Sequence, residues 1–286
     1  MNLSSAFRLS PAQAMPAAYT HLRNLVAYRE LIYYLVVRDL RARYKNSVLG
    51  FLWSLLNPLA LMLVFTTVFT IMRPGHNIQN YPIYVLCGLL PWNYFAAGLL
   101  GSTNSIVAGA GLIKKVYFPR EALPIAAVLS QLVNFLLAFV VLFVALVVFQ
   151  SPWSAWLWLL PLVILMQTCF ILGLSFILAT INVFYRDVMM IIDVVILAWF
   201  FLTPVFYPIS AVPATVNLLG FTLPLHRLMY VLNPMASLIN AYRDILYWGY
   251  RTDLDFLVRT FITSLVILIF GYWFFQRYSG RFGEEL

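Results

Sequence analysis

The sequence predicts an all-α integral membrane protein with six transmembrane helices, an N-terminal amphipathic helix and short helices between the fifth and sixth spans. Apolar residues make up 63% of the 286-residue chain, charged residues only 10%, and the mean hydropathy is +0.89. A soluble domain carries about 25% charged residues. Six apolar stretches also have lengths near or above the roughly 20 residues that a helix needs to cross a bilayer. Together these observations exclude a soluble enzyme, a disordered chain and a nucleic-acid-binding domain.

The six predicted spans lie at 52–72, 82–108, 122–149, 156–181, 189–206 and 256–275. The second contains Pro91 and three glycines, which predict a kink or a break. The fifth is short, and Pro204 and Pro208 predict its end or a re-entrant turn. Residues 207–255 follow without a clean span but are too apolar for a disordered loop. We expect one or two short helices there, at the outer face.

The basic residues predict the orientation. Thirteen of the 18 lie before span one, between spans two and three, between spans four and five, or near and after the end of span six. Short cytoplasmic loops carry an excess of Lys and Arg, so both termini are predicted to be cytoplasmic. The net charge of +8 therefore indicates loop topology and anionic lipid rather than nucleic-acid binding.

Residues 22–48 are predicted to form an amphipathic helix in the membrane interface, after a tail at 1–21. Most of its charges fall on one face, whereas Arg29 and Asp39 interrupt the apolar side. The polar residues that we expect to contact a partner are Arg38, Asp39, Arg41, Arg43, Tyr44 and Lys45.

Residues typical of catalysis or ion coupling are absent from the middle of every predicted span. Proton- and ion-driven transporters usually carry ionisable groups at this depth. The three histidines have no metal-ligand spacing, and no glycine-rich phosphate loop ends in Lys-Ser or Lys-Thr. Cys87 and Cys169 lie in apolar runs and suggest no disulfide or metal site. The chain is therefore predicted to hold no catalytic site, metal or cofactor, and its energy should enter through another subunit.

Four strings on the predicted cytoplasmic side or near the fifth span occur in a characteristic order. They are Arg38–Gly50 followed by Trp53, Leu112–Glu121, Asn182–Asp187, and Pro204–Pro208 with Asn233-Pro234 downstream. With six spans they resemble the membrane subunit of type-2 ABC exporters for O-antigen, capsular polysaccharide or teichoic acid. The resemblance covers about residues 22–280.

This resemblance implies a homodimeric permease in the bacterial inner membrane, with two copies of a separate ATPase that binds ATP and Mg. It also implies a six-span domain at 49–280, a coupling loop at about 103–121, gate helices within 207–255 and a cytoplasmic tail at 281–286. The expected coupling residues are Leu112, Ile113, Lys114, Lys115, Phe118, Arg120 and Glu121. An apolar tip on this loop would fit a cleft in a soluble partner. The alternative is an ordinary basic inner loop.

Two further sets of residues are candidates. Tyr185, Arg186 and Asp187 end span four, either as an interfacial anchor with Asp187 capping span five or as a second contact for the ATPase or substrate. Aromatic faces on spans one, two and five would bind a passing sugar polymer weakly, although each ring could equally contact lipid or pack internally. These candidates are Trp53, Phe65, Phe69, Trp92, Tyr94, Phe95, Phe200, Phe201, Phe206 and Tyr207.

Three other functions compete with polysaccharide export. The same fold could export a drug, a lipid or haem. A flippase driven by an ion gradient is disfavoured by the lack of charges at mid-membrane. A membrane-embedded glycosyltransferase would need catalytic acids facing one cavity, and the acidic residues here lie scattered near span ends.

Overall fold

The computed structural model describes residues 28–45, 52–72, 78–116, 118–150, 154–218 and 221–286. This part of the chain is mostly helical, with one two-stranded hairpin. The helices are α1 Arg29–Tyr44, α2 Trp53–Met72, α3 Tyr81–Ala108, α4 Ala110–Ile113, α5 Ala122–Val148, α6 Leu160–Phe184, α7 Val188–Leu202, α8 Leu225–Leu232, α9 Pro234–Arg243, α10 Leu254–Ser279 and α11 Phe282–Glu285. The strands are β1 Thr215–Leu218 and β2 Phe221–Pro224. A 3-10 turn at Leu157–Leu159 leads into α6, another lies at Ile209–Ala211, and a π-helical turn at Asp244–Trp248 extends α9.

All six predicted apolar spans form helices, and four of these are long and apolar enough to cross a membrane. The four are α3, α5, α6 with its preceding turn, and α10. The apolar parts of the other two are shorter, at Leu55–Val68 in α2 and Val188–Leu202 in α7. At 1.5 Å per residue, 15 residues of α7 reach only about 22 Å, which is less than the hydrocarbon thickness of about 30 Å.

The second span is one unbroken helix, so a break at Pro91 is not found. The carbonyl of Pro91 accepts a hydrogen bond from Gln167 Nε2 of α6 at 2.7 Å. Gly98 lies so close to α6 that an added Cβ would be 3.1 Å from Ile171 Cγ2. The proline and glycines therefore let α3 pack tightly as the most buried of the long helices.

The most extensive helix contact joins α6 and α10. The two backbones meet at Gly173 and Gly271. A Cβ added to Gly173 would lie 2.6 Å from the carbonyl carbon and oxygen of Ile267. Small residues allow helices to approach closely where lipid offers no hydrophobic driving force.

Polar side chains also join α3 to α6 inside the bundle. Tyr94 Oη and Thr168 Oγ1 are 3.0 Å apart, and Ser102 donates to Ser175 at 2.5 Å. Asn182 Nδ2 donates to the carbonyl of Thr103 at 3.1 Å. Each such bond satisfies a polar group that would be costly in an apolar interior.

One end of the bundle, which we call the basic end, gathers α1, α4, the start of α5, the ends of α6 and α10, and α11. An apolar cluster unites them, with Leu35, Phe118, Phe275 and Phe282 all buried. The predicted inner loop, interface helix and C-terminus thus lie together. The 281–286 segment is a short helix anchored by Phe282 rather than a free tail. Residues 1–27 and 46–48 of the predicted tail and interface helix lie outside the described part.

The predicted gate segment at 207–255 lies at the opposite end and contains α8, α9 and the π-helical turn. It also contains the hairpin, which we did not predict. Strands β1 and β2 are antiparallel, with Thr215 opposite Pro224 and Leu218 opposite Phe221. Two strands of four residues give a weak periodic signal, which explains why the sequence suggested only helices here.

Candidate substrate path and coupling surface

An aromatic cluster forms where the last turn of α7 meets α2 and α3. Phe65 of α2 stacks on Phe206 with ring centroids 5.7 Å apart and 11° between the planes. Trp92 of α3 is 5.5 Å from Phe200 of α7, and Phe200 is 5.5 Å from Phe206. The ring centroid of Phe201 lies 5.4 Å from that of Phe200 and 6.0 Å from that of Phe206. We call these five residues the α7 aromatic cluster.

The cluster changes from buried to exposed across its width. Trp92 is buried, Phe65, Phe200 and Phe206 are half-buried, and Phe201 is 58% exposed. Offset and edge-to-face ring pairs of this kind hold their geometry well. The cluster therefore presents an apolar face whose outer edge, at Phe201, is exposed in the single chain.

The other aromatic candidates do not form part of the exposed face of this cluster, although Phe95 contacts Trp92 at 5.3 Å. Phe95 is fully buried against Phe170 and Trp199, and Tyr94 is buried against Phe135. Tyr207 contacts Phe206 at the edge of the cluster, and its hydroxyl donates to the carbonyl of Phe201 at 3.0 Å. Trp53 lines a separate cavity beside α1. The side chain of Phe69 lies outside the described residues.

A buried arginine holds the chain segment that carries the cluster. Arg243 of α9 is 3% exposed, and its Nη1 donates to the carbonyl of Pro204 at 2.6 Å. Its Nη2 donates to the carbonyl of Val205, and its guanidinium lies 3.8 Å from the ring centroid of Tyr84. The site is tight, because a Cβ on Gly88 would lie 2.7 Å from Nη2. In the sequence Arg243 is one basic residue of the predicted outer segment 207–255, and no local pattern indicates this role.

A second brace joins the same segment to the start of α9. Asn233 caps α9 by accepting from the amide of Ala236 at 3.3 Å. Its Oδ1 also accepts from Trp199 Nε1 at 2.9 Å, and its Nδ2 donates to Thr203 Oγ1 at 2.8 Å. The Asn-Pro pair noted in the sequence is therefore a helix cap that fixes the end of α7.

Asp244 follows Arg243 in the π-helical turn. Its Oδ2 accepts from Asn240 Nδ2 at 3.0 Å. Burial raises the pKa of the Asp244 carboxyl to about 6, Arg243 opposes the rise and Asp253 adds to it. Desolvation disfavours the charged form of a carboxyl group, so this residue titrates close to neutral pH.

The predicted coupling loop is a one-turn helix with a cationic tip. Leu112 and Ile113 are half-buried on the apolar cluster of the basic end, whereas Lys114, Lys115 and Val116 are exposed. The apolar residue at the tip is therefore Val116, which is 54% exposed. The sequence pointed to Leu112 and Ile113, because only the fold shows which side of this turn faces inward.

Arg120 and Glu121 do not pair with each other. Glu121 is buried, and its Oε1 accepts from Gln276 Nε2 of α10 at 3.0 Å. Arg120 lines a cavity of about 240 Å³ with Lys114 and Lys115. Its buried Nη1 finds no acceptor among the described residues. Phe118 lines the same cavity but is buried, so it is not exposed to a partner.

Most residues of the two remaining candidate sets are exposed. On α1, Arg38 pairs with Asp39 at 2.9 Å, and Arg41 and Lys45 are exposed. Arg43 is also exposed, but its side chain and that of the half-buried Tyr44 form hydrogen bonds to α5. Tyr185, Arg186 and Asp187 are all exposed, and the side chain of Asp187 makes no cap hydrogen bond to α7. The predicted cap is therefore wrong, because Asp187 has a helical backbone conformation and not the extended one typical of a capping residue.

The chain is similar in sequence to proteins of known family. Residues 30–247 match the family model described as ABC-2 type transporter. The chain is 37% identical over 266 residues to the O-antigen export system permease protein RfbA of Myxococcus xanthus, covering 93% of this chain and 98% of the relative. It is 31% identical to RfbA of Klebsiella pneumoniae, covering 92% and 97%. The polysialic acid transport protein KpsM of Escherichia coli is 23% identical, covering 83% and 89%.

Proposed function

The chain belongs to the ABC-2 type transporter family, and we propose that it is the permease subunit of an ATP-driven exporter of lipid-linked polysaccharide. The observation that carries the proposal is its end-to-end likeness to the O-antigen export permeases. Among O-antigen, capsular polysaccharide and teichoic acid, we propose O-antigen as the substrate class, because the names of these relatives specify O-antigen export.

We infer that the working unit is a homodimer with six spans in each chain. In the single chain, α2 and α7 each leave large apolar side chains exposed, among them Leu63, Ile71, Met190 and Val194. Two chains related by a two-fold axis would bury such faces and enclose a polymer-wide path. The α7 aromatic cluster, with its exposed outer edge, would then line that path.

Energy would enter through two copies of a separate ATPase that binds ATP and Mg. Val116 with Lys114 and Lys115 forms an exposed tip suited to a cleft in a soluble partner. Arg120 lines a cavity beside Lys114 and Lys115, and its guanidinium would donate hydrogen bonds to a carboxylate of that partner. The basic end would accordingly face the cytoplasm, and both termini would lie on the cytoplasmic side. The hairpin and α8 would lie on the opposite, outer side of the membrane.

The test is co-purification with the candidate ATPase, followed by ATPase measurements in lipid nanodiscs. We expect two copies of each subunit and a several-fold stimulation of ATP hydrolysis by lipid-linked O-antigen. Stimulation by a drug-like or simple lipid substrate, with none by the glycan, would contradict the proposal. A one-to-one complex with full transport activity would reject the dimer.

A further inference from the structure

A polar cavity of about 360 Å³ lies between α1, α2, α3 and α5. The end of α1 closes one side, where Arg43 Nη1 donates to Gln131 Oε1 at 3.0 Å and Tyr44 Oη donates to Asn134 Oδ1 at 2.7 Å. Asn134 Nδ2 also donates to Gln131 Oε1 at 3.2 Å. These α5 amides lie in the third and fourth turns of a helix that is otherwise strongly apolar.

The cavity retains unused hydrogen-bonding capacity and a positive charge. Gln131 Oε1 is the one hydrogen-bond partner of the Arg43 side chain among the described residues, although a guanidinium carries five N–H donors. The side-chain amides of Asn57 and Asn93 also face the cavity and make no side-chain hydrogen bond in the described part of the chain. The cavity lining contains no Asp or Glu. A group that accepts several hydrogen bonds and is negatively charged would complement this lining.

An apolar groove of about 520 Å³ adjoins the cavity between the same two helices, α2 and α5. Pro58 lines the cavity and its neighbour Leu59 the groove, while Ala138 lines the cavity and Val141 the groove. The groove is walled entirely by apolar side chains, including Leu56 and Val144, which are exposed in the chain. A polar cationic cavity beside an apolar groove matches the two halves of an amphiphile.

We propose that this combined site binds one anionic glycerophospholipid of the surrounding leaflet per chain, with its phosphate at Arg43, Asn57 and Asn93 and an acyl chain along the groove. Basic pockets between transmembrane helices are suited to anionic lipid headgroups. Such a lipid is present at high concentration in the leaflet, and the exposed apolar residues Leu56 and Val144 beside the site would contact it in a membrane. The site is separate from the α7 aromatic cluster, and the proposal does not depend on the transported substrate.

The test is native mass spectrometry of the full-length protein titrated with phosphatidylglycerol or phosphatidylcholine of equal chain length. We expect one tightly bound phosphatidylglycerol per chain and at least about five-fold weaker phosphatidylcholine binding. Arg43→Gln should weaken phosphatidylglycerol binding about ten-fold, as expected for loss of a charge-assisted hydrogen bond. Arg43→Lys should retain most of the binding because it keeps the charge. Arg41→Gln is the matched control, because Arg41 is equally exposed but does not line the cavity, and it should change binding less than two-fold.

A variant that fills the groove tests the second half of the site. Val144→Trp should weaken phosphatidylglycerol binding, while glycerol phosphate without acyl chains should compete poorly. Equal binding of the two phospholipids, equal effects of Arg43→Gln and Arg41→Gln, or full competition by glycerol phosphate would each overturn the proposal. Displacement of phosphatidylglycerol by lipid-linked glycan at equal concentration would also overturn it, because the site would then belong to the substrate. Melting temperatures of the variants separate lost binding from lost folding.

Discussion

Arg243 Nη1 donates a hydrogen bond to the carbonyl of Pro204 at 2.6 Å, and this contact holds the segment that follows α7. The helix must stop before Pro204, since the proline has no N–H and disfavours a helical conformation in the residue before it. The carbonyls of Pro204 and Val205 are therefore left for another donor in a buried position. A fork-shaped guanidinium supplies both from one side chain.

We predict that Arg243→Met strongly destabilises the protein. Each buried carbonyl that loses its donor costs about 1–3 kcal/mol. Arg243→Lys should recover only part of the loss, because an ammonium group lacks the planar fork. Thermal unfolding in detergent measures the effect. The control is Arg251→Met, since Arg251 is exposed and lies 5.5 Å from the ring centroid of Trp156. Equal melting temperatures for Arg243→Met and Arg251→Met would contradict the role of Arg243.

The sequence predicted this region only in part, for a physical reason. Pro204 and Pro208 mark the end of α7 through local backbone restrictions, which a single sequence reveals. The partner of the freed carbonyls is 39 residues away, and nothing local distinguishes Arg243 from a loop charge. Leu112 and Ile113 illustrate the same limit, because local pattern marks a short apolar helix but not which side packs on Phe118 and Leu123. The positions of the six apolar helices depend on composition and length alone, and the sequence predicted them.

Gly173 and Gly271 should tolerate no larger residue. An added Cβ on either glycine would overlap the backbone of the facing helix. Gly271→Val should therefore force α6 and α10 apart and cost about 1–3 kcal/mol or more, as overpacking generally does. Gly280→Val is the control, since nothing lies within 4 Å of a Cβ added there. Membrane abundance and melting temperature should fall for Gly271→Val alone, and equal behaviour of both variants would argue against this close crossing.

Asp244 predicts a pH dependence of stability. Burial raises its pKa in the fold to about 6, above the usual value of about 3.9 in an unfolded chain. The fold therefore favours the protonated form, and this contribution is complete below about pH 3.9 and lost as pH rises through about 6. Asp244→Asn, which resembles the protonated carboxyl, should flatten the melting temperature between pH 5 and 7.5. The melting temperature of the wild type relative to that of Asp244→Asn should rise from pH 7.5 to pH 5. A constant or falling difference would contradict this assignment.

Val116 is expected to mediate contact with the ATPase. Val116→Asp places a carboxylate at the exposed tip of the coupling loop and should reduce co-purification and ATPase stimulation at least about ten-fold, with little change in melting temperature. Ile113→Asp should instead lower the melting temperature, because Ile113 is half-buried on the apolar cluster of the basic end. Val231→Asp, at an exposed position on α8, serves as the control and should leave the ATPase contact intact. A fully coupled Val116→Asp protein would show that the ATPase binds elsewhere.

Substitutions in the α7 aromatic cluster are expected to lower the rate of transport. A polymer must pass one sugar at a time, so its path should offer weak and repeated contact, which flat ring faces provide. Phe201→Ala and Phe206→Ala should slow export several-fold while basal ATPase activity and membrane abundance stay at parental values. The control is Trp273→Ala, because Trp273 is an equally exposed aromatic on α10, away from the cluster. The measurement is surface glycan per inserted permease over time. Export at the parental rate in both cluster variants, or an equal loss in Trp273→Ala, would mean that these rings pack against lipid or the second chain and do not line the path.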